Sequence, residues 1–277
     1  MHKVLSRIDE ALGGHYDASE LETVKKALVT ELLGVSALSY YTRETVYLNP
    51  EQDLLLEKAL ERLKRGEPLQ YVIGYTPFCG LKFLVDSNVL IPRPETAELV
   101  EWVAQDASAQ GSLLDIGTGS GCIAISLAHR LLGWNVQGWD ISDGALEKAR
   151  ENNRLNGTDV EFRKVDILSA SITDCKFDVI ASNPPYVLES EKSGMEKTVL
   201  DFEPHTALFV SDSDPLLFYR AIAEFGHRAL NQGGKLYFEI NPLKAETLKE
   251  MLQDEGYRDI ELRKDIFGKQ RMIKAIL

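Results

Sequence analysis

A surplus of positive charge is the first thing this sequence lacks: 31 Lys and Arg stand against 43 Asp and Glu, a net charge of −12. Wide grips on bare nucleic acid are dominated by cationic side chains neutralising phosphates, so the balance argues against direct nucleic-acid binding. Cysteine is scarce. Cys79, Cys122 and Cys175 are too few and too scattered for a disulfide framework or a thiolate metal site. His2, His15, His129, His205 and His227 fall into no ligand spacing either, and no metal is expected. Nor does any stretch approach the run of about 20 apolar residues that crosses a bilayer. Residues 1–10, MHKVLSRIDE, hold no apolar signal core. The expectation is a cytoplasmic protein without a membrane partner. Internal repeats and low-complexity segments are missing too.

What is present suffices for an ample core: 277 residues, 44% hydrophobic and 27% charged, enough for one large or two ordinary domains. The pattern changes near residue 90. Before it, Ser19 is the expected cap of a helix carrying Leu21, Val24, Leu28 and Leu32 on one face, with Gly34 at its end. A second helix is marked by Asn49 as cap, Pro50 at the first position, a stripe of Leu56, Leu60 and Leu63, and Gly66 as the stop. Such stripes predict the core of a small helical bundle over 1–68. Residues 69–91, LQYVIGYTPFCGLKFLVDSNVLI, turn aromatic and β-branched around Gly74, Pro77 and Gly80, which predicts a β-hairpin linker.

In the remainder, 92–277, strand and helix patterns alternate from 112 onward: SLLDIG, NVQGWD, VEFRKVD, FDVIASN and KLYFEI read as strands separated by amphipathic helices. That alternation predicts an α/β fold with a parallel sheet covered on both faces. The last two strands, ELRKDIF and RMIKAIL, are joined by GKQ, too short for a crossover, and should pair antiparallel at the edge.

Ligands of open α/β sheets bind beyond the carboxyl ends of the strands. The first strand ends in Asp115-Ile116-Gly117-Thr118-Gly119-Ser120-Gly121, where glycines let the backbone turn and approach a ligand. A turn serving only helix packing is the plainer alternative. The spacing D-x-G-x-G-x-G differs from the G-x-G-x-x-G of nicotinamide folds. It resembles the first motif of class I methyltransferases that bind S-adenosylmethionine. The second strand ends in Asp140, suited to accept from both ribose hydroxyls, although it could instead cap the next helix in competition with Ser142. Asp166 and Ile167 end the third strand, suited to an adenine amino group and its apolar face. A nucleoside with a sulfonium tail fits this set.

The fourth strand runs into Asn183-Pro184-Pro185-Tyr186. Two prolines lock the backbone, and Pro185 holds Pro184 extended. A planar amino group on a carbonyl or aromatic ring has a delocalised lone pair and is a poor nucleophile. Two acceptors, the Asn183 side-chain oxygen and the Pro184 carbonyl, would hold that NH2 and favour the positive charge that develops on it. Tyr186 can stack on the flat group and shield it from water. The motif specifies a planar nitrogen; it leaves open an exocyclic base amine or a glutamine amide.

A further set of residues bears on that choice. Leu90-Ile91-Pro92-Arg93-Pro94-Glu95-Thr96, followed by Glu98-Leu99-Val100, resembles the linker signature of the PrmC/HemK type of release factor glutamine methyltransferases. Pro68, Tyr71, Gly74 and Phe78 upstream, and Phe202-Glu203-Pro204 with Ala207-Leu208 downstream, are similar to it as well. The resemblance runs from about 68 to 240, and the first 65 residues resemble the family only as a helical domain. It implies a small N-terminal helical bundle for substrate recognition and a Rossmann-like class I methyltransferase sheet. It also implies methyl transfer from S-adenosylmethionine, leaving S-adenosylhomocysteine, to the glutamine of a Gly-Gly-Gln loop in class I peptide-chain release factors. By resemblance, Gly117, Thr118, Gly119, Ser120 and Gly121 line the methionine end, Asp140 the ribose, Asp166 and Ile167 the adenine side, and Asn183, Pro184, Pro185 and Tyr186 the substrate amide. Arg93, Glu95 and Thr96 lie beside the pocket on this reading, though Arg93 and Glu95 could equally form an ion pair. Glu203 helps close the insertion after strand four, or is a solvated loop acid. A monomer is expected. Two departures stand out: Asn241-Pro242 follow Glu239-Ile240 where the family commonly has glycine, and Ala97 occupies an often acidic position. The rivals are an adenine-N6 DNA methyltransferase, a ribosomal-protein glutamine methyltransferase and a non-catalytic S-adenosylmethionine sensor. The first would need a basic cleft and the last would have no use for Asn183 and Tyr186.

Overall fold

The computed structural model describes residues 1–170 and 176–277; Cys175 lies outside the described residues. The chain divides into two compact units, Met1–Tyr75 with Glu196–Phe202, and Thr76–Met195 with Glu203–Leu277.

The first unit is helical: α1 (His2–Leu12), α2 (Ala18–Ala27) running into a π turn at Leu28–Leu32, α3 (Ala37–Tyr41), α4 (Pro50–Lys64) and α5 (Leu69–Ile73), joined by the later α9 (Lys197–Phe202). Ile8, Leu12, Leu28, Leu56, Leu60 and Leu63 share its core, as their helical spacing requires. α4 begins as the sequence predicts, with Asn49 and Gln52 in a reciprocal capping box and Pro50 in the first turn. α2 differs. Asp17, not Ser19, is the cap: its carboxylate accepts from the N–H groups of Ser19 and Glu20, and Glu20 reaches back to the Asp17 N–H. Glu20, three residues on from Asp17, completes that box. The acid at the same offset from Ser19, Glu22, is drawn to Lys25 instead.

Only part of the 69–91 stretch is a hairpin. Residues 69–73 wind into α5, which Gly74 closes in the left-handed conformation (φ 88°). β1 (Tyr75–Phe78) and β2 (Leu81–Leu84) then pair across Cys79 and Gly80, both at positive φ, the two-residue turn that suits the twist of a tight hairpin. The division between units therefore falls after Tyr75, later than the 68/69 boundary expected from composition.

The second unit continues with α6 (Pro94–Asp106), β3 (Ser112–Ile116), α7 (Cys122–Arg130), β4 (Asn135–Asp140), α8 (Asp143–Asn156), β5 (Val160–Lys164) and β6 (Phe177–Ser182). An insertion follows, with β7 (Val187–Leu188), α10 (His205–Leu208) and β8 (Phe209–Val210). Then come α11 (Leu217–Ala229), β9 (Leu230–Glu239), α12 (Ala245–Asp254), β10 (Arg258–Lys264) and β11 (Gln270–Ile276). Seven strands lie in the order β10-β11-β9-β6-β3-β4-β5. β3, β4, β5, β6 and β9 are parallel to their neighbours within that group, while β11 pairs antiparallel with both β9 and β10. This is the antiparallel edge that the short GKQ connection predicts. Alternate residues of β3 supply the two faces. Leu113 packs with Leu99, Ile123 and Leu146 from α6, α7 and α8, and Leu114 and Ile116 pack with Ile222 and Leu248 from α11 and α12. Strand order reverses beside β3. The register sets Ile116 level with Trp139 on β4 and Ser182 on β6, so the glycine turn, Asp140 and Asn183 emerge side by side. Among the described residues no helix is long and apolar enough to cross a membrane.

Candidate active site

At this switch point lies a cavity of about 520 Å³, within the second unit. The turn after β3 forms one wall and is fastened from three sides. The N–H groups of Gly117 and Thr118 donate to the Trp139 carbonyl at 2.8 and 2.9 Å, Gly119 N–H donates to Asp140 Oδ2 at 2.9 Å, and Ser182 Oγ donates to the Ile116 carbonyl at 2.6 Å. Gly117 and Gly119 adopt positive φ, which the tight turn demands. Beneath the turn, fully buried Asp115 accepts from Thr118 Oγ1 at 2.6 Å and the Ala124 N–H at 3.2 Å. Burial pushes its carboxyl up to about 7; the two donors oppose the rise and the Asp140 charge adds to it.

Gly117, Thr118, Gly119 and Ser120 line the cavity. Gly121, grouped with them by resemblance, is not part of the lining. A Cβ there would stand 2.7 Å from Ile125 Cδ1 and 3.3 Å from Ala149 Cβ, so this glycine permits α7 to pack closely on α8. The packing alternative holds for the third glycine alone.

Asp140 is in the lining with both oxygens accepting backbone N–H groups, from Gly119 and from Ser142 at 2.9 Å. Burial raises its pKa against those bonds. Ser142 is the actual cap of α8, accepting from the Ala145 N–H. Asp166 and Ile167 also line the cavity; Asp166 Oδ1 accepts from the Leu168 N–H at 3.0 Å, and Val165 and Ile167 offer an apolar wall. Polar groups thus cluster by the glycines and Asp140, and apolar surface lies past β5. The buried Ser120 hydroxyl, beside the Cys122 thiol, has no oxygen or nitrogen partner among the described residues. An elongated ligand with a hydroxylated middle, a flat heterocycle at one end and polar groups at the other fits this distribution, as S-adenosylmethionine would.

Asn183, Pro184 and Pro185 line the cavity at the end of β6. Asn183 Nδ2 donates to Thr96 Oγ1 at 3.3 Å, Thr96 Oγ1 donates to Glu239 Oε2 at 2.6 Å, and the Tyr186 hydroxyl donates to Glu239 Oε1 at 2.9 Å. Tyr186, expected to stack over a substrate group, is not in the lining; it packs against the core cluster of α11 and α12 with its hydroxyl on Glu239. Burial, and after it the Glu239 charge, drive its phenol far above the usual range. Glu239 is itself fully buried, and burial raises its pKa while Thr96, Tyr186 and Arg271 oppose the rise.

Arg93 and Thr96 face the cavity from the start of α6; Glu95 and Glu203 are not part of the lining. Arg93 does not pair with Glu95. Its Nη2 lies 2.5 Å from Oε1 of Glu203, whose other oxygen accepts from the Ile91 N–H at 3.3 Å. Glu203 is buried, not solvated, and anchors the insertion to the segment before α6. Three supporting residues escape a reading by motif. Glu239 is signalled only as a carboxylate inside an apolar strand. Asn152 bridges β2 to the glycine turn. Asn241, the departure noted above, donates to the Tyr186 carbonyl at 3.1 Å and to Glu191 at 2.9 Å, holding the tetrapeptide and the insertion together.

Comparison with known proteins places this geometry. Residues 94–201 match the family model described as Methyltransferase small domain, and residues 3–74 the one described as PrmC N-terminal domain. The chain is 46% identical over 276 residues to a release factor glutamine methyltransferase of Bacteroides thetaiotaomicron, covering 99% of each chain. It is 43% identical over 271 residues to one of Flavobacterium psychrophilum, covering 96% of this chain and 95% of that one. Among solved structures, a methyltransferase from Pyrococcus furiosus aligns at a TM-score of 0.52 and 19% identity, over 71% of this chain and 89% of the other. The human methyltransferase 10 domain containing protein aligns at 0.51 and 20%, with the same coverages. At such identities the likeness is one of fold.

Proposed function

The chain belongs to the release factor glutamine methyltransferases, and from that premise we propose that it methylates the side-chain amide nitrogen of the glutamine in the Gly-Gly-Gln loop of class I peptide-chain release factors. It is an S-adenosylmethionine-dependent enzyme. The bound cofactor supplies a methyl group activated by its sulfonium.

The protein's own part is binding, orientation and charge. Asp140 accepts from the ribose hydroxyls, Ser120 and the Gly117–Gly119 turn receive the amino-acid end, and Val165, Asp166 and Ile167 take the adenine. The product S-adenosylhomocysteine uses the same contacts. On the substrate side, Asn183 Oδ1 and the Pro184 carbonyl accept from the two N–H bonds of the glutamine amide. They hold its plane and stabilise the positive charge developing on nitrogen, a gain largest in the transition state. Pro185 keeps the Pro184 carbonyl from turning away. A neutral amide turns acidic only as its new bond forms, so its proton leaves late, to Asn183 or to water, and no strong base is needed. Tyr186 acts from behind, by fixing Glu239. Arg93 and Glu203 hold in place the segment whose Pro204 and Ala207 line the cavity, and Glu95 lies outside that lining.

The helical unit, 1–75, is the part we assign to docking the release factor. The enzyme works as a monomer in the cytoplasm, where its substrates work. The observation that carries this reading is the Asn183 amide, its NH2 held by Thr96 and its residue lining the same cavity as Asp140 and the glycine turn. The test is incubation with labelled cofactor and a class I release factor, then mass spectrometry of the tryptic peptide containing Gly-Gly-Gln. A methyl on that glutamine, about 10²-fold or more slower with Asn183→Ala, is the expected result; label on DNA or on a ribosomal protein in its place would overturn it.

A further inference from the structure

A side-chain amide presents two nearly identical faces, and only one of them is useful here. If Asn183 is to accept from a substrate NH2, its oxygen must point into the cavity; turned by half a rotation, it would set a donor against a donor. Rotating an amide costs little unless its surroundings tell oxygen from nitrogen.

Those surroundings lie behind it. Thr96 is buried at 2% exposure and Glu239 at 1%. Both Glu239 oxygens accept from hydroxyl donors, Thr96 Oγ1 at 2.6 Å and Tyr186 at 2.9 Å. Thr96 has one proton, and it points to Glu239. Toward Asn183, at 3.3 Å, its oxygen therefore has only lone pairs, which accept the Nδ2 group and repel Oδ1.

We propose that Glu239 is a positioning residue for methyl transfer, setting through Thr96 the direction of the Asn183 amide so that Oδ1 faces the substrate. This rests on the reading of Asn183 as the acceptor of the substrate amide. The logic parallels a carboxylate that fixes the tautomer of a catalytic histidine: it touches no reacting atom and decides which atom of its neighbour does. Tyr186 completes the device by holding the second Glu239 oxygen, which keeps the first on Thr96.

The test compares Thr96→Val, Thr96→Ser, Glu239→Gln and Asn183→Ala, alone and with each of the first three added to Asn183→Ala. kcat is measured on a release factor, and Kd for S-adenosylhomocysteine by calorimetry. Thr96→Val is nearly isosteric and removes the relay without leaving a hole. It is expected to lower kcat about 10- to 100-fold, the scale on which misplacing a reacting group acts, with a far smaller effect on Kd. Thr96→Ser keeps the hydroxyl and should recover most of that loss. Glu239→Gln should resemble Thr96→Val, because its amide can donate to Thr96 and reverse the polarity of the relay. In the Asn183→Ala background none of these changes should lower kcat further, since nothing is left to orient. Multiplicative losses in that background, or full kcat in Thr96→Val, would refute the positioning role while leaving Asn183 in place. Full turnover by Asn183→Ala would overturn the underlying reading as well.

Discussion

The side chain of Asn152, in the middle of α8, donates to the Ser120 carbonyl at 2.9 Å and to the Leu84 carbonyl at 3.0 Å, and accepts from the Leu84 N–H at 2.6 Å. One fully buried amide thus ties the hairpin strand β2 and the glycine turn to the same helix. Asn152→Ala would remove the side-chain partner of three backbone groups, the buried Ser120 carbonyl and the part-buried N–H and carbonyl of Leu84, each worth about 1–3 kcal/mol where water cannot take its place. A loss of about 3 kcal/mol or more is expected in denaturant melts, together with weaker binding of S-adenosylhomocysteine as the turn loosens. A variant with unaltered stability and affinity would show that the turn is held by its other bonds alone.

The reach of the sequence has a physical limit that these bonds mark. Strands, helices and the antiparallel edge were legible because burial imposes periods, and each element carries its own period. The glycine turn, Asp140 and Asn183 were legible because topology delivers strand ends to one place. Asn152 and Ser120 are 32 positions apart, Thr96 and Glu239 143, and no local pattern encodes which polar side chain will meet which backbone group. Arg93 shows the same limit: Glu95 is close in the chain, yet the partner is Glu203, brought near by the insertion. Short-range rules misled once more at α2, where Ser19 and Asp17 are both able caps and the box with Glu20 decides between them.

Asp115 gives a pH dependence of unusual sign. The folded chain holds its proton up to about 7 because the carboxyl is buried, whereas the unfolded chain releases it near the ordinary value of about 3.9. Between those values the unfolded state binds fewer protons, so the stability Asp115 contributes is complete below the lower value and is lost as pH rises through the higher one. Asp115→Asn cannot ionise. Its Tm relative to the parent should therefore climb between about pH 5 and about pH 7 and level off above that. A constant difference across that range, read by scanning calorimetry, would mean that Asp115 is ionised throughout.

Gly121 combines a left-handed backbone (φ 81°) with the close contact to Ile125 already described. Gly121→Ala should cost about 2–4 kcal/mol, part from the conformation and part from overpacking. The two parts separate by experiment. Adding Ile125→Val removes the Cδ1 methyl that an added Cβ would meet at 2.7 Å, so urea melts of the double variant should show less destabilisation than the sum of the single changes. Simple additivity would assign the whole cost to the backbone and contradict the packing role.

Arg93 and Glu203 are unequal partners, with the Glu203 side chain 2% exposed and that of Arg93 33%. Removing the arginine leaves a buried carboxylate that, among the described residues, keeps the 3.3 Å bond from the Ile91 N–H, whereas removing the carboxylate's charge leaves an arginine that water can reach. Arg93→Ala should therefore cost more than Glu203→Gln. Breaking a fully buried pair costs about 3–5 kcal/mol, and partial exposure brings the arginine variant to about 2–3 kcal/mol. Because Glu203 anchors the segment whose Pro204, Thr206, Ala207 and Phe209 line the cavity, limited proteolysis of Arg93→Ala should cut between residues 203 and 210 faster than in the parent. The double variant should recover part of the loss, since no unpaired buried charge remains. Equal costs for the two single changes, or a double variant as weak as their sum, would show that burial of Glu203 is not what makes the pair matter.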